Sequence, residues 1–294
     1  MHDTGWNLRN MTSLETAEPI IRLSIFVVVF ALFAIFEAFF PMRKRTYSRA
    51  NRWPSNIGIS ALNQVVVRMV VPTTAMALAV HSAETGTGLL TYVVVPTWLE
   101  IVIAVLILDL ALYLQHIMFH AVPLFWRLHR MHHADIDFDV TTGIRFHPMS
   151  IVVSAFIKLG VVMLLGPPVV AVLVFEVLLN ATSLFNHSNL RIPAAWDRII
   201  RNLVVTPDMH RVHHSIRSSE TNSNFGFNFP WWDKLFGTYK AQPKDGHIKM
   251  TVGLDKFRED GQFRLDRMLV QPFCGTAESN TMDRREKDVD KNDD

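Results

Sequence analysis

Residues 93–120 read VVVPTWLEIVIAVLILDLALYLQHIMFH. The stretch stays apolar for about 20 residues, the length a helix needs to cross the hydrocarbon core of a bilayer. It then delivers His116 and His120 on the continuing helix. Residues four apart share one helical face, so two imidazoles leave the end of a span pointing the same way. Two further clusters repeat the theme, His129-x-x-His132-His133 shortly after and His210-x-x-His213-His214 beyond another apolar run. Helical spacing lets each cluster aim two or three imidazoles at one point. Neutral imidazole is the commonest metal-ligating side chain. A polynuclear metal site at the mouth of a membrane segment is therefore expected.

Composition narrows the donors. The only cysteine is Cys274, so an intrachain disulfide and a cysteine-based zinc or iron–sulfur site are excluded. Nitrogen and oxygen ligands remain, and imidazole suits zinc, copper, iron and nickel. The 294-residue chain is 49% hydrophobic with a mean hydropathy of +0.19, and its apolar residues are bunched. A net charge of +2 is too small to argue for nucleic acid.

Outward from residues 93–120, the same hydropathy pattern defines the rest. Residues 20–40 form a first span, with Arg22 and Glu37 near its ends where they can reach the interface. Met1 to Pro19 lacks a basic n-region, so the first run reads as a retained anchor and not a signal peptide. A basic loop follows with Arg43, Lys44, Arg45, Arg49 and Arg52, which places it in the cytoplasm. Residues 57–80 are a second, weaker span containing Arg68 and Pro72, and residues 93–114 a third. His116 and His120 then emerge on the cytoplasmic side. Residues 151–165 and 169–185 are apolar halves divided by Gly166-Pro167-Pro168, either two tight spans or a re-entrant loop. Both options cross an even number of times and return the third cluster to the face of the first two. Residues 191–205 read as an interfacial amphipathic helix. From Gly275 the chain has the composition of a disordered tail.

The expected architecture is all-α: an integral-membrane helical bundle of about four spans, or three plus a re-entrant hairpin, with a cytosolic helical cap carrying a histidine-rich dimetal site. Residues 1–92 form an N-terminal segment with two spans, 93–240 the catalytic domain and 241–294 a polar extension ending in the tail.

The clusters hold eight of the thirteen histidines. Gathered without metal, they would leave polar nitrogens poorly satisfied, and partial protonation would set like charges together. One catalytic zinc takes three protein ligands, so eight or more imidazoles fit two ions. Spacing alone leaves iron and zinc both open. His187, where the hairpin re-emerges, is favoured as a ninth ligand. His147 is either a ligand or a residue pinning the turn before the hairpin. His81 lies on the opposite side, and His2 and His247 read as surface residues. Asp109 shares a stripe with Tyr113 and His116, and an ionisable residue in a span is a functional candidate. It is expected to accept a ligand histidine's free ring N–H, with pairing to Arg68 the alternative. Glu176 and Asn180 are similar but less defined. Asp208 either caps the helix of His210 or orients a ligand. Arg130 and Arg211 are read as solvated.

These residues resemble the fatty acid hydroxylase and sterol desaturase superfamily, whose pattern is His-x3-His, His-x2-His-His, an isolated His, then His-x2-His-His. Here those positions are His116/His120, His129/His132/His133, His187 and His210/His213/His214. The run from Trp126 to Asp135 resembles its second box, and Arg145 to Pro148 the segment that follows. Asn222 to Gly226, with Trp232 to Tyr239, resembles its closing signature. The likeness covers roughly residues 102–240. It implies two Fe ions, O2 as co-substrate, a lipid substrate and a separate electron donor, cytochrome b5-like or ferredoxin-like. The expected activity is oxygen insertion into, or desaturation of, a lipid C–H bond. The alternatives are a zinc-dependent membrane hydrolase, which lacks a His-Glu-x-x-His pattern here, and a non-enzymatic membrane metal-binding or transport protein, whose sites usually lie at mid-membrane.

Overall fold

The computed structural model describes residues 8–275. His2 and residues 276–294 lie outside the described residues, so the expected tail does as well. The described residues contain no strand, only the isolated bridges Pro41–Leu190 and Ser215–Val252.

Five segments are long and apolar enough to cross a membrane: Met11–Phe39, Arg49–Tyr92, Thr97–Ala121, Pro148–Leu165 and Val169–Asn186. The first is most of α1 (Leu8–Phe39). The second is α2 (Arg49–Val70) and α3 (Ala75–Thr85), broken where Pro72 lacks an amide hydrogen for the helix and where Thr74 caps the restart. The third is α4 (Thr97–Ala121). Helix α5 (Pro123–His133) follows at once, its Pro123 suited to a first helical turn. Helices α6 (Pro148–Leu165) and α7 (Val169–Asn186) form the hairpin.

Both halves of the hairpin are long and apolar enough to cross a membrane. Each helix is 18 residues, about 27 Å, close to the ~30 Å hydrocarbon core. Their turn reaches the far end of the bundle, where Gly166 meets the connection between α3 and α4. A Cβ on Gly166 would lie 2.2 Å from the Thr87 carbonyl oxygen, and one on Gly88 would lie 2.4 Å from Gly166 Cα. Only paired glycines permit that approach, and Gly166 also takes the left-handed φ of 57° that ends α6.

An apolar core from α3, α4, α6 and α7 fills the far half of the bundle, with Met76, Ala79, Leu108, Val162, Val172 and Phe175 at its centre. Helix α1 instead exposes Leu23, Val28, Ile35 and Phe39. Polar anchors hold it. Arg22 pairs with Glu18 and, at 3.1 Å, with Glu176, which also pairs with Lys158. Glu37 is fully buried instead of interfacial. It accepts the Val140 and Asn189 amides and pairs with Arg49.

The opposite end carries the cap. It contains α5 and, after α7, α8 (Ala194–Ile200), α9 (Pro207–His213), α10 (Ser218–Thr221), α11 (Trp231–Leu235), α12 (Gly246–Lys249) and α13 (Leu265–Val270). The amphipathic helix expected over 191–205 is the shorter α8, because Pro193 sets its start and the chain turns after Ile200. Trp196, Ile199 and Leu203 do face outward. Part of the polar extension belongs to the cap: Leu265, Met268 and Leu269 pack on Ile59 and Met131.

Candidate metal centre

Nine buried histidines meet where α4, α5, α7 and α9 converge. They sort into two groups, His116, His120, His129, His133 and His213 in one, and His132, His187, His210 and His214 in the other. Within each group the candidate ligand atoms lie within 4.8 Å of one another. The groups adjoin, with the His133 and His214 rings stacked at 4.4 Å. The stretch 210–214 therefore sits against 116–133, as the even number of crossings requires. His187, at the C-cap of α7, is in the second group.

Each His-x-x-His-His cluster is split, which corrects the expectation that a cluster aims at one point. On α5, His129 and His133 face the first group and His132 the second. On α9, His213 faces the first while His210 and the capping His214 face the second. The i,i+4 pair stays together, and the odd residue points to the other side of the stripe.

Hydrogen bonding shows that these nitrogens fit cations. A carbonyl oxygen only accepts, so a ring nitrogen bonded to one carries the proton. Nδ1 of His116 donates to the Phe225 carbonyl at 2.8 Å and Nδ1 of His213 to the Ser223 carbonyl at 2.7 Å. Both Nε2 atoms are then bare lone pairs, yet they face each other at 3.1 Å. The same holds for His132 and His187. Their Nδ1 atoms donate to the carbonyls of Arg145 and Ser183, and their Nε2 atoms stand 3.1 Å apart. Facing lone pairs repel unless a cation sits between them. With metal–nitrogen bonds of about 2.1 Å, neighbouring ligands on one ion come this close. His120 Nε2, His210 Nδ1 and both ring nitrogens of His214 are buried without a protein partner. Such orphans are costly unless ligated.

The carbonyls explain the closing stretch of sequence. Asn222 Oδ1, at 3.3 Å, faces His120 Nδ1, and the Ser223 and Phe225 carbonyls hold His213 and His116. Asn224 supplies the bend between them at φ 51°, with its side chain tied to the Met209 and Lys240 carbonyls. Asp233 accepts the Phe225 and Gly226 amides at 2.8 Å and Thr238 Oγ1 at 2.7 Å. These positioning groups are mostly backbone oxygens, which residue identity does not reveal.

The two expected carboxylates sit elsewhere. Asp109 accepts Trp232 Nε1 at 2.8 Å and the Asn228 amide at 3.4 Å, so it holds the closing loop and reaches neither a histidine nor Arg68. Asp208 pairs with Arg211 at 2.6 Å, while Thr206 caps α9. His147 stands outside both groups. It caps α6 by accepting the Met149 amide at Nδ1, and its Nε2 faces the Leu269 carbonyl. Arg130, Arg211 and His247 are buried and not solvated. Arg130 clasps the Gln271 and Cys274 carbonyls, and Arg211 lies over the Phe138 ring and beside His247. Each covers a cap surface that the next segment folds over, which cluster spacing does not report. His81 is in α3, remote from both groups in the fold.

Burial holds these imidazoles neutral. Desolvation, reinforced by neighbouring imidazoles, pushes His129, His132, His133, His210, His213 and His214 well below the ordinary histidine range. Burial lowers His187 to about 3. Burial raises Asp233 to about 6. The unfolded chain protonates its histidines near 6.5, where the folded, metal-free chain does not. Folding stability is therefore full above that pH and falls as pH drops toward the depressed folded values. Asp233 works the other way between 3.8 and 6 but is outweighed by the seven imidazoles. Metal-stripped protein should lose melting temperature steadily from pH 7 to pH 4.5, and metal should shift that loss to lower pH. A flat profile in a pH series of thermal melts would contradict the neutral shell.

Residues 101–238, which include all nine histidines, match the fatty acid hydroxylase family. Ornithine lipid hydroxylase OlsE of Rhizobium tropici is 25% identical over 90% of this chain and 79% of its own length. Human alkylglycerol monooxygenase is 26% identical over 55% of this chain, and rat cholesterol 25-hydroxylase 28% identical over 49%. The chain spans only 34% and 48% of those two relatives. No solved structure matches. A helical membrane bundle closed by a buried histidine cap defines a class of integral membrane protein. The family match over residues 101–238 and these lipid hydroxylase and monooxygenase relatives support a place in the fatty acid hydroxylase superfamily.

Proposed function

We propose that the chain is a membrane-bound di-iron oxygenase that hydroxylates a lipid, with external electrons and O2. One observation carries this reading: nine buried imidazoles in two adjoining groups, four of them oriented by backbone carbonyls, with no carboxylate in either. A group of five exceeds the four ligands of structural or catalytic zinc, which disfavours a hydrolase. Neither Asp109 nor Asp208 is placed as a base beside the histidines. Complete burial at one end of the bundle also disfavours a carrier.

His116, His120, His129, His133 and His213 would hold one iron, and His132, His187, His210 and His214 the other. When bound, the iron pair supplies the O2 chemistry that an unactivated C–H bond requires. The protein's part is orientation and exclusion. Carbonyls fix the Nδ1 protons so that lone pairs stay aimed inward. Phe119, Phe138, Phe146, Phe225 and Phe227 surround the imidazoles and keep water out. The basic loop of Arg43, Lys44 and Arg45 joins the bundle at the histidine end, which supports a cytoplasmic site. A separate cytochrome b5-like or ferredoxin-like donor reaches it there.

For substrate, the relative matched along nearly the whole chain acts on ornithine lipid, whereas the other two cover about half of it. A lipid of that amphipathic, acylated type is the one proposed. The test is expression in a bacterial host that makes unhydroxylated ornithine lipid. About two irons per chain and an O2-dependent gain of one oxygen in the lipid are expected. Zinc in place of iron, with unchanged lipid, would refute the assignment.

A further inference from the structure

The segment between Phe225 and Trp232 lies across the membrane side of the histidine groups, wedged between α4 and α7. On α4 it is held by Asp109. That residue precedes His116 by two helical turns, about 10 Å deeper along the helix. On α7 it is held by Thr182, whose hydroxyl donates to Asn228 Oδ1, and by Asn186, whose amide donates to the Phe227 carbonyl at 3.0 Å. Val205 donates its amide to the Asn228 carbonyl. Phe229 then packs against the apolar membrane core.

Its rings differ. Phe225 is fully buried and faces only the five-histidine group, at 5.6, 5.1 and 5.5 Å from His116, His120 and His213. Phe227 faces both groups, 6.2 Å from His116, 6.2 Å from His210 and 6.4 Å from His187. It is half-buried, whereas those three histidines are buried. Phe146 also faces both groups, but it stacks flat on His132 at 4.3 Å and is committed to backing that ring. Phe227 sits farther from the ligand rings than Phe225 does.

Its backbone cannot give way. A Cβ on Gly226 would fall 2.6 Å from Asp233 Oδ2 and 2.8 Å from the Phe229 carbonyl, and Asp233 clamps the Gly226 amide. The ring is therefore carried on a fixed stem.

We propose that Phe227 is the wall against which the substrate's hydrocarbon chain stops, so that its ring decides which carbon lies opposite the two histidine groups. This rests on the hydroxylase reading above. Removing the ring opens space beside both histidine groups, and a chain slides further before it stops. Phe227→Ala moves the added oxygen away from the chain end, and Phe227→Trp moves it toward the end. Phe227→Leu, which keeps an apolar plug and guards against collapse of the alanine variant, gives an intermediate pattern.

The assay uses full-length protein in the host making ornithine lipid, with the position of the added oxygen read by fragmentation mass spectrometry. The ratio of positional isomers should change about tenfold, the discrimination a pocket wall of one or two methylenes supplies. Iron per chain and melting temperature should stay near wild-type values in the Leu and Trp variants, which keep a plug beside the histidines, whereas a merely structural phenylalanine would change stability without moving the isomer ratio. Folded, iron-loaded Ala, Leu and Trp variants with the wild-type isomer ratio overturn the proposal and leave the hydroxylase reading intact. A wild-type protein that adds no oxygen to the lipid overturns the substrate reading, and this proposal with it.

Discussion

His213→Ala should lower bound iron from about two ions per chain to about one, and His210→Ala should do the same through the other group. The substitutions remove one nitrogen from five and one from four, respectively. His213 Nε2 faces His116 Nε2 at 3.1 Å, and His210 Nε2 faces His187 Nε2 at 3.0 Å. In each case one face of an ion's shell is lost from a site that water reaches poorly. Activity should fall at least about a thousandfold in both, the scale seen when one member of a catalytic unit is removed. The combined variant should be barely worse in activity, because the groups act as a unit, but should bind no iron. Elemental analysis of purified variants decides this. A single variant that loses both irons would mean that the groups share a ligand. One that keeps both would remove that histidine from the shell.

Sequence alone carried the membrane spans and the histidine boxes, because apolar length and i,i+3/i,i+4 spacing are local properties. It also carried the parity that returns residues 210–214 to the face of 116–133, since that follows from counting crossings. The partition of the boxes was not legible. Sending His132 one way and His133 the other depends on how α5 and α9 roll against each other, and that is a tertiary quantity. Asp109 was expected beside a ligand histidine but holds the closing loop instead. Trp232 lies 123 residues away, and nothing in the stripe of α4 announces it. His147 needed the start of α6 to be located before its capping role could be seen. Arg130, Arg211 and His247 looked solvated because long-range covering of the cap has no periodicity.

The same blindness hid Arg52, which the basic loop offers as one cation among several. Arg52→Met should destabilise the protein by about 3–5 kcal/mol, the cost of stripping one partner from a buried pair. Its guanidinium is fully buried. Nε and Nη2 grip the two oxygens of Asp135 at 3.0 and 2.6 Å, and Nη1 takes Asp139 at 2.6 Å. Burial alone would push the Asp135 carboxyl up. Arg52 and Arg145 reverse that and hold it below the usual carboxylate range. Without the guanidinium, two carboxylates at 2% and 0% exposure lose the cation they bond directly. The damage then reaches the metal centre. Asp135 also accepts Thr142 Oγ1 at 2.9 Å, and Asp139 caps the turn at 140–144 through the Thr141 amide. That turn leads into Arg145, whose carbonyl holds the Nδ1 proton of His132. Iron affinity should drop roughly 10–100-fold, as when a supporting partner of a ligand histidine is lost. Arg52→Lys should recover only part of the stability, because an ammonium cannot span both oxygens of Asp135 and still reach Asp139. Arg52→Met with Asp135→Asn and Asp139→Asn should melt higher than Arg52→Met alone, since the stranded charges are gone. Melting curves and iron content of the four proteins in one detergent measure all of this. Wild-type values for Arg52→Met would mean that the cap holds its histidines without help from α2.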